Sequence, residues 1–70
     1  MELAKLVGRN VRKHRQAKGL TQEALAFDAD MKRSYLNELD SGKRNPTLAV
    51  IERLARALAV KPHDLFLPLS

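Results

Sequence analysis

The sequence predicts an all-α fold, a compact five-helix bundle that contains a helix-turn-helix, and three observations carry that prediction. Apolar residues recur at helical spacing in successive segments, capping or breaking residues bound each segment, and nothing alternates as a strand would. The most informative stretch is 21–42, TQEALAFDADMKRSYLNELDSG. There, two short amphipathic patterns are separated by about three residues without proline, the spacing of a helix-turn-helix whose second helix can enter the DNA major groove.

The first helix is expected over 2–18. Leu3, Leu6, Val7 and Val11 supply its inward stripe, Lys18 suits the negative end of the helix dipole, and Gly19 can take the left-handed conformation that stops it. Gly8, inside this helix, costs about 1 kcal/mol relative to alanine, so another helix should approach closely there. His14 lies one turn after Val11 and reads as a partly buried side chain, since no second histidine or cysteine stands nearby to complete a metal site.

Thr21 is a natural N-cap for a second helix over 22–28, which should bury Leu25 and Ala26 or Ala29. A third helix starts near Lys32 and ends at Gly42. Lys32 at an N-cap opposes the helix dipole, which is understood if it faces phosphate; the alternative is a shifted boundary with Asp30 as the cap. Wound at roughly 100° per residue, this segment gathers Tyr35, Leu36 and Leu39 on one side. Arg33, Ser34, Asn37, Glu38 and Ser41 gather on the other. Residues 41–46, SGKRNP, form a loop, after which Thr47 caps a fourth helix with the inward stripe Leu48, Ile51, Leu54, Ala55 and Leu58. Pro62 then opens a last short helix, and Leu65, Phe66, Leu67 and Leu69 form a terminal apolar cluster.

Seventy residues bound one domain, 1–70, with a single core, because a chain this small buries only about 60% of its unfolded surface. The absence of cysteine removes disulfides and thiolate metal sites together. No apolar run approaches the roughly 18 residues of a membrane span, and the opening MELAKLVGRN lacks the apolar region of a secretory signal. A soluble, cytoplasmic protein without membrane contact is expected. With two histidines far apart and no zinc spacing, phosphate-cradling glycine loop or nucleophile motif, the chain is read as a non-enzyme without cofactor or metal. A formal charge of +5 favours a polyanionic partner without choosing which one.

The polar residues narrow that choice. Gln22 falls in the first turn of the second helix, where an amide and unpaired backbone N–H groups can hold a phosphate, and Lys43 and Arg44 can grip the backbone at the other end of the contact. Between them stand Arg33, Ser34, Asn37 and Glu38. Arginine can pair with guanine, asparagine with adenine, and glutamate with the cytosine amine, each good pair contributing about 1–3 kcal/mol of discrimination. An ordinary solvated face is the alternative.

The pattern LTQEALA, a turn, RSYLNELDSGKRNPTL and a closing IERLARAL resembles the Xre family, the phage-repressor and Cro type of helix-turn-helix. Its RSY and GKRNPTL segments are most similar to the small controller proteins of restriction-modification systems. The resemblance implies a lambda-repressor-like, five-helix domain that binds double-stranded DNA as a homodimer on a two-fold operator. It implies base reading by Lys32, Arg33, Ser34 and Glu38, and phosphate binding by Gln22, Lys43, Arg44 and Asn45; Asn37, on the same polar face, is a further candidate base reader, and Tyr35 a further candidate phosphate contact. It also implies a supporting pair of Arg15, late in the first helix, with Asp40, at the end of the third. The sequence departs from the family at Asp30, where the turn usually has glycine, at Lys32, where serine or threonine usually caps, and at His14, often aliphatic. Leu65, Phe66, Leu67 and Leu69 are the expected dimer interface, with closure of the chain's own core as the alternative for Leu65 and Phe66. Two further readings remain: a protein-interaction module such as an antitoxin, docking a protein partner through Phe27 or the C-terminal cluster, and the DNA-binding domain of a longer regulator.

Overall fold

A computed structural model describes residues 2–68. Leu69, expected at an interface, lies outside the described residues. The helices are α1 (Glu2–Ala17), α2 (Gln22–Asp28), α3 (Arg33–Asp40) and α4 (Leu48–Leu58), followed by a 3-10 helix, Pro62–Phe66. The expected fifth α-helix is thus corrected to a 3-10 helix. Only five residues lie in it, and Asp64 Oδ2 accepts from the Lys61 N–H at 3.0 Å to fix its start. Pro68 follows almost at once, leaving no length in which α-helical bonding can propagate.

All four α-helices end with the same pair of backbone hydrogen bonds. Leu20 N–H reaches Arg15 O at 3.0 Å, Met31 reaches Ala26 at 2.9 Å, Lys43 reaches Glu38 at 2.9 Å and Val60 reaches Ala55 at 3.0 Å. Each closure requires a left-handed residue just before the donor. Gly19 and Gly42 supply it at φ 70° and 75°, but Asp30 (φ 55°) and Ala59 (φ 58°) supply it in the other two. An L-residue with a Cβ pays about 1–2 kcal/mol there. Replacing Ala59 by glycine should therefore stabilise the fold by about 1 kcal/mol, after allowing for glycine's greater unfolded-state freedom. A urea midpoint that falls in Ala59→Gly would show the left-handed turn to be costless.

The starts are local as well. Thr21 Oγ1 accepts from Ala24 N–H at 3.0 Å and Thr47 Oγ1 from Val50 N–H at 3.2 Å, the expected N-caps. Lys32 is the N-cap residue of α3 and makes no side-chain cap hydrogen bond, so the alternative of an Asp30 cap is not adopted.

Val7, Val11, Leu25, Leu36, Leu39, Ile51, Leu54, Leu58 and Leu65 are the main members of the core. Two expected core residues are corrections. Leu3 is 45% exposed and Leu48 is 80% exposed. In α4 the inward turn begins at Val50, so Leu48 stands on the outer edge of the first turn; in α1 the stripe is rotated toward Ala4, Val7 and Val11. Gly8 lies against α3. A Cβ built on Gly8 would overlap the Leu39 carbonyl oxygen and sit 3.2 Å from that of Asp40, so the close approach expected at this glycine is made by the end of α3. Two residues on, buried Asn10 ties the C-terminus to α1. Its Nδ2 donates to the carbonyls of Leu65 at 3.1 Å, Leu67 at 2.8 Å and Leu6 at 3.1 Å.

Candidate nucleic-acid interface

The outward side of α3 is polar because the apolar residues occupy the other side: Leu36 and Leu39 are fully buried and Tyr35 packs half-buried against the core. Arg33, Ser34, Asn37 and Glu38 are all exposed, as is Lys32 just before the helix. Arg33, Asn37 and Ser34, Glu38 are neighbours at four-residue spacing on that face.

Behind α3, Arg15 and Asp40 come together as expected. Arg15 Nη2 lies 3.7 Å from Asp40 Oδ2, with the two side chains only 12% and 8% exposed, and Arg15 Nη1 donates to Leu20 O at 2.9 Å. Gln22 joins this group by donating from Nε2 to the same Asp40 oxygen at 2.8 Å. The residue expected to hold a phosphate therefore also braces α2 against α3, and its second amide hydrogen and its carbonyl remain for other partners. A cleft lined by Arg12, Gln22, Asn37 and Asp40 opens beside this group. Arg12 was missed in the sequence, although its three-residue spacing from Arg15 places the two on one helical face.

On the other flank, Glu38 and Arg44 are joined to each other. Arg44 Nε donates to Glu38 Oε1 at 2.7 Å, and the guanidinium carbon lies 4.8 Å from the centre of the Tyr35 ring. The hydrogen bond that Arg44 donates to Glu38, followed by the charge of that carboxylate, raises the Arg44 pKa above its ordinary value. An expected base reader, an expected phosphate contact and the expected phosphate-binding tyrosine form one cluster. Lys43 and Asn45 are exposed beside it.

The expected interface residues divide. Leu65 is fully buried in its own core, Phe66 is half-buried against it, and Leu67 is 46% exposed. Sequence reasoning missed that Leu3 and Leu48 would flank an apolar groove of about 320 Å³ together with Pro46, Ile51 and Phe66. The signal was present as an apolar residue in first-turn positions of both α1 and α4. Among the described residues, no helix is long and apolar enough to cross a membrane.

A family model described as helix-turn-helix, HTH_3, matches residues 11–65. The chain is 41% identical over 68 residues to an uncharacterized HTH-type transcriptional regulator, y4dJ, of Sinorhizobium fredii, covering 97% of this chain and 88% of that one. It is 43% identical over 61 residues to the control protein C.BamHI of Bacillus amyloliquefaciens, covering 86% and 75%. In fold it is similar to the restriction-modification controller protein C.AhdI of Aeromonas hydrophila, with a TM-score of 0.90 at 41% identity over 94% of this chain and all of that one.

Proposed function

Because the chain belongs to the helix-turn-helix family HTH_3 and is a DNA-binding transcription regulator, we propose that it reads a two-fold operator as a homodimer, in the manner of a restriction-modification controller. The observation that carries this reading is the exposed polar face of α3 in a chain of net charge +5, held from behind by the largely buried Arg15–Asp40 pair and by Gln22. With α3 in the major groove, Arg33, Ser34, Asn37 and Glu38 meet base edges and Lys32 stands at the entry of the helix. Gln22, Tyr35, Lys43, Arg44 and Asn45 hold the two flanking backbones.

The second copy is supported by the apolar groove. Leu3 and Leu48 are large apolar residues exposed along this groove, and a matching face on another copy would remove them from water. Half-sites on the DNA would then be centred about 34 Å apart, one helical turn.

Selection of binding sites from a random pool tests the reading as a whole. The expected result is a two-fold motif with fixed half-site spacing; an asymmetric motif, or none, counts against it. On the selected site, Arg33→Ala should reduce discrimination against one base pair by about ten- to a hundred-fold. Lys43→Ala should instead weaken binding to operator and random DNA alike and lower the salt slope by about one. Discrimination unchanged in Arg33→Ala would move base reading off this face.

A further inference from the structure

A cavity of about 330 Å³ opens beside the start of α3, between the turn that precedes it, the loop that follows it and α4. Three cations line it, Lys32, Arg44 and Arg53, together with Ser34, Tyr35 and one carboxylate, Asp30. Asp30 forms no ion pair with any of the three; Arg44 is paired with Glu38 at 2.7 Å, and among the described residues Lys32 and Arg53 have no ion-pair partner. Arg53 is the unusual member. It projects from the middle of α4, flanked in sequence by buried Leu54 and one turn from buried Val50, and its Nε is buried with no hydrogen-bond partner. A guanidinium N–H withdrawn from water and left unpaired costs free energy unless something supplies an acceptor.

The surroundings specify that acceptor. An anion fits, since Lys32 and Arg53 stand without ion-pair partners beside the paired Arg44 and a single carboxylate, and it would lie at the start of α3, where Lys32 offers the first-turn N–H groups no side-chain cap. Ser34 and Lys32 belong both to this lining and to the exposed face of α3, so the cavity opens on the side proposed to meet DNA. We infer that Arg53 is a DNA-binding residue, and that this bay takes one backbone phosphate on the side of α3 opposite Gln22. The inference rests on the proposed DNA-reading mode and adds to it a contact from α4. A guanidinium carried on a packed helix would add to the loop cations Lys43 and Arg44 a further constraint on the depth and tilt of α3 in the groove.

The test walks a single uncharged methylphosphonate linkage through the selected DNA site and measures binding by wild type, Arg53→Gln and Arg53→Met, both of which keep the aliphatic stem. In wild type, one linkage per half-site should weaken binding about five-fold. Both variants should be about five-fold weaker on all DNA, should be indifferent to that linkage, and should lose about 0.9 from the salt slope. Weaker binding with the wild-type linkage profile would mean that Arg53 acts only through packing, and would overturn the inference. The Arg53 Nε–H NMR resonance of the wild type supplies a reading that needs no variant: it should shift and exchange more slowly when DNA binds, and an unmoved resonance overturns the assignment. A wild type that binds DNA with no preferred sequence defeats the operator reading, whereas a preferred site with an Arg53-independent profile defeats only this contact.

Discussion

A Gly8→Ala variant should bind its operator about ten-fold more weakly while its affinity for random DNA falls far less. In an isolated helix this substitution would gain about 1 kcal/mol. Here the added methyl meets the Leu39 carbonyl oxygen and crowds that of Asp40, both backbone groups at the end of α3 that cannot rotate away. Overpacking against such groups costs about 1–3 kcal/mol, and its relief is a displacement of α3 away from α1. The same two residues neighbour Glu38 and the Asp40 carboxylate held by Arg15 and Gln22. On the proposed reading by α3, its displacement carries base contacts out of register, and loss of one good contact is about a ten-fold change in affinity. Phosphate contacts on flexible side chains adjust. Equal weakening on operator and random DNA, or a urea midpoint raised as helix propensity alone would have it, would show that the α1–α3 seat does not position the helix.

Asn10→Ala is expected to have the larger effect on stability, a loss of about 3 kcal/mol. The buried amide donates to carbonyls of Leu6, Leu65 and Leu67. Its removal leaves the buried Leu65 carbonyl and the part-buried Leu67 carbonyl without this donor, at about 1–3 kcal/mol for a fully buried acceptor, and opens a small void. In a domain of this size each kcal/mol shifts the melting temperature by about 4–8 °C, so Tm should fall by about 15 °C. Hydrogen exchange should rise first in the Pro62–Phe66 helix, which α1 holds by this amide and by the buried side chain of Leu65. Asn10→Asp should be no better than alanine, because an ionised carboxylate presents only acceptors to those carbonyls. A Tm within about 2 °C of wild type would mean that side-chain packing alone holds the C-terminal segment.

What was legible in the sequence is what nearby residues decide. Thr21 and Thr47 cap because their hydroxyls reach the N–H three residues on, and α3 divides into apolar and polar sides because its period is local. Asn10 was not legible as a clasp, since its partners lie as far as 57 residues away and an asparagine in a helix is equally at home facing water. Gly8 announced a close approach without naming the Leu39 and Asp40 carbonyls. Leu48 misled because a first-turn residue at helical spacing from Ile51 can fall on the edge of the stripe, and only packing shows that Val50 takes the inner place. The polar site was legible as a set and not as a network. Gln22 with Asp40, and Glu38 with Arg44, are pairs of groups that could each have bonded to water or to DNA. Their choice of one another depends on how α2, α3 and the following loop are brought together.

The two helix ends closed by Asp30 and Ala59 have a consequence for how this protein can change over generations. Each holds a residue with a Cβ where glycine would fit without strain, so each is a stabilising replacement not yet made. The exposed side chains on α3 lie outside the core, and most exchanges there alter stability by about 0.5 kcal/mol or less. On the proposed reading of bases by α3, a lineage that exchanged Arg33 or Ser34 to follow a drifting operator would thus meet few penalties in folding. It could cancel those it met by a single change at Ala59, the end of α4, which is no part of the proposed interface.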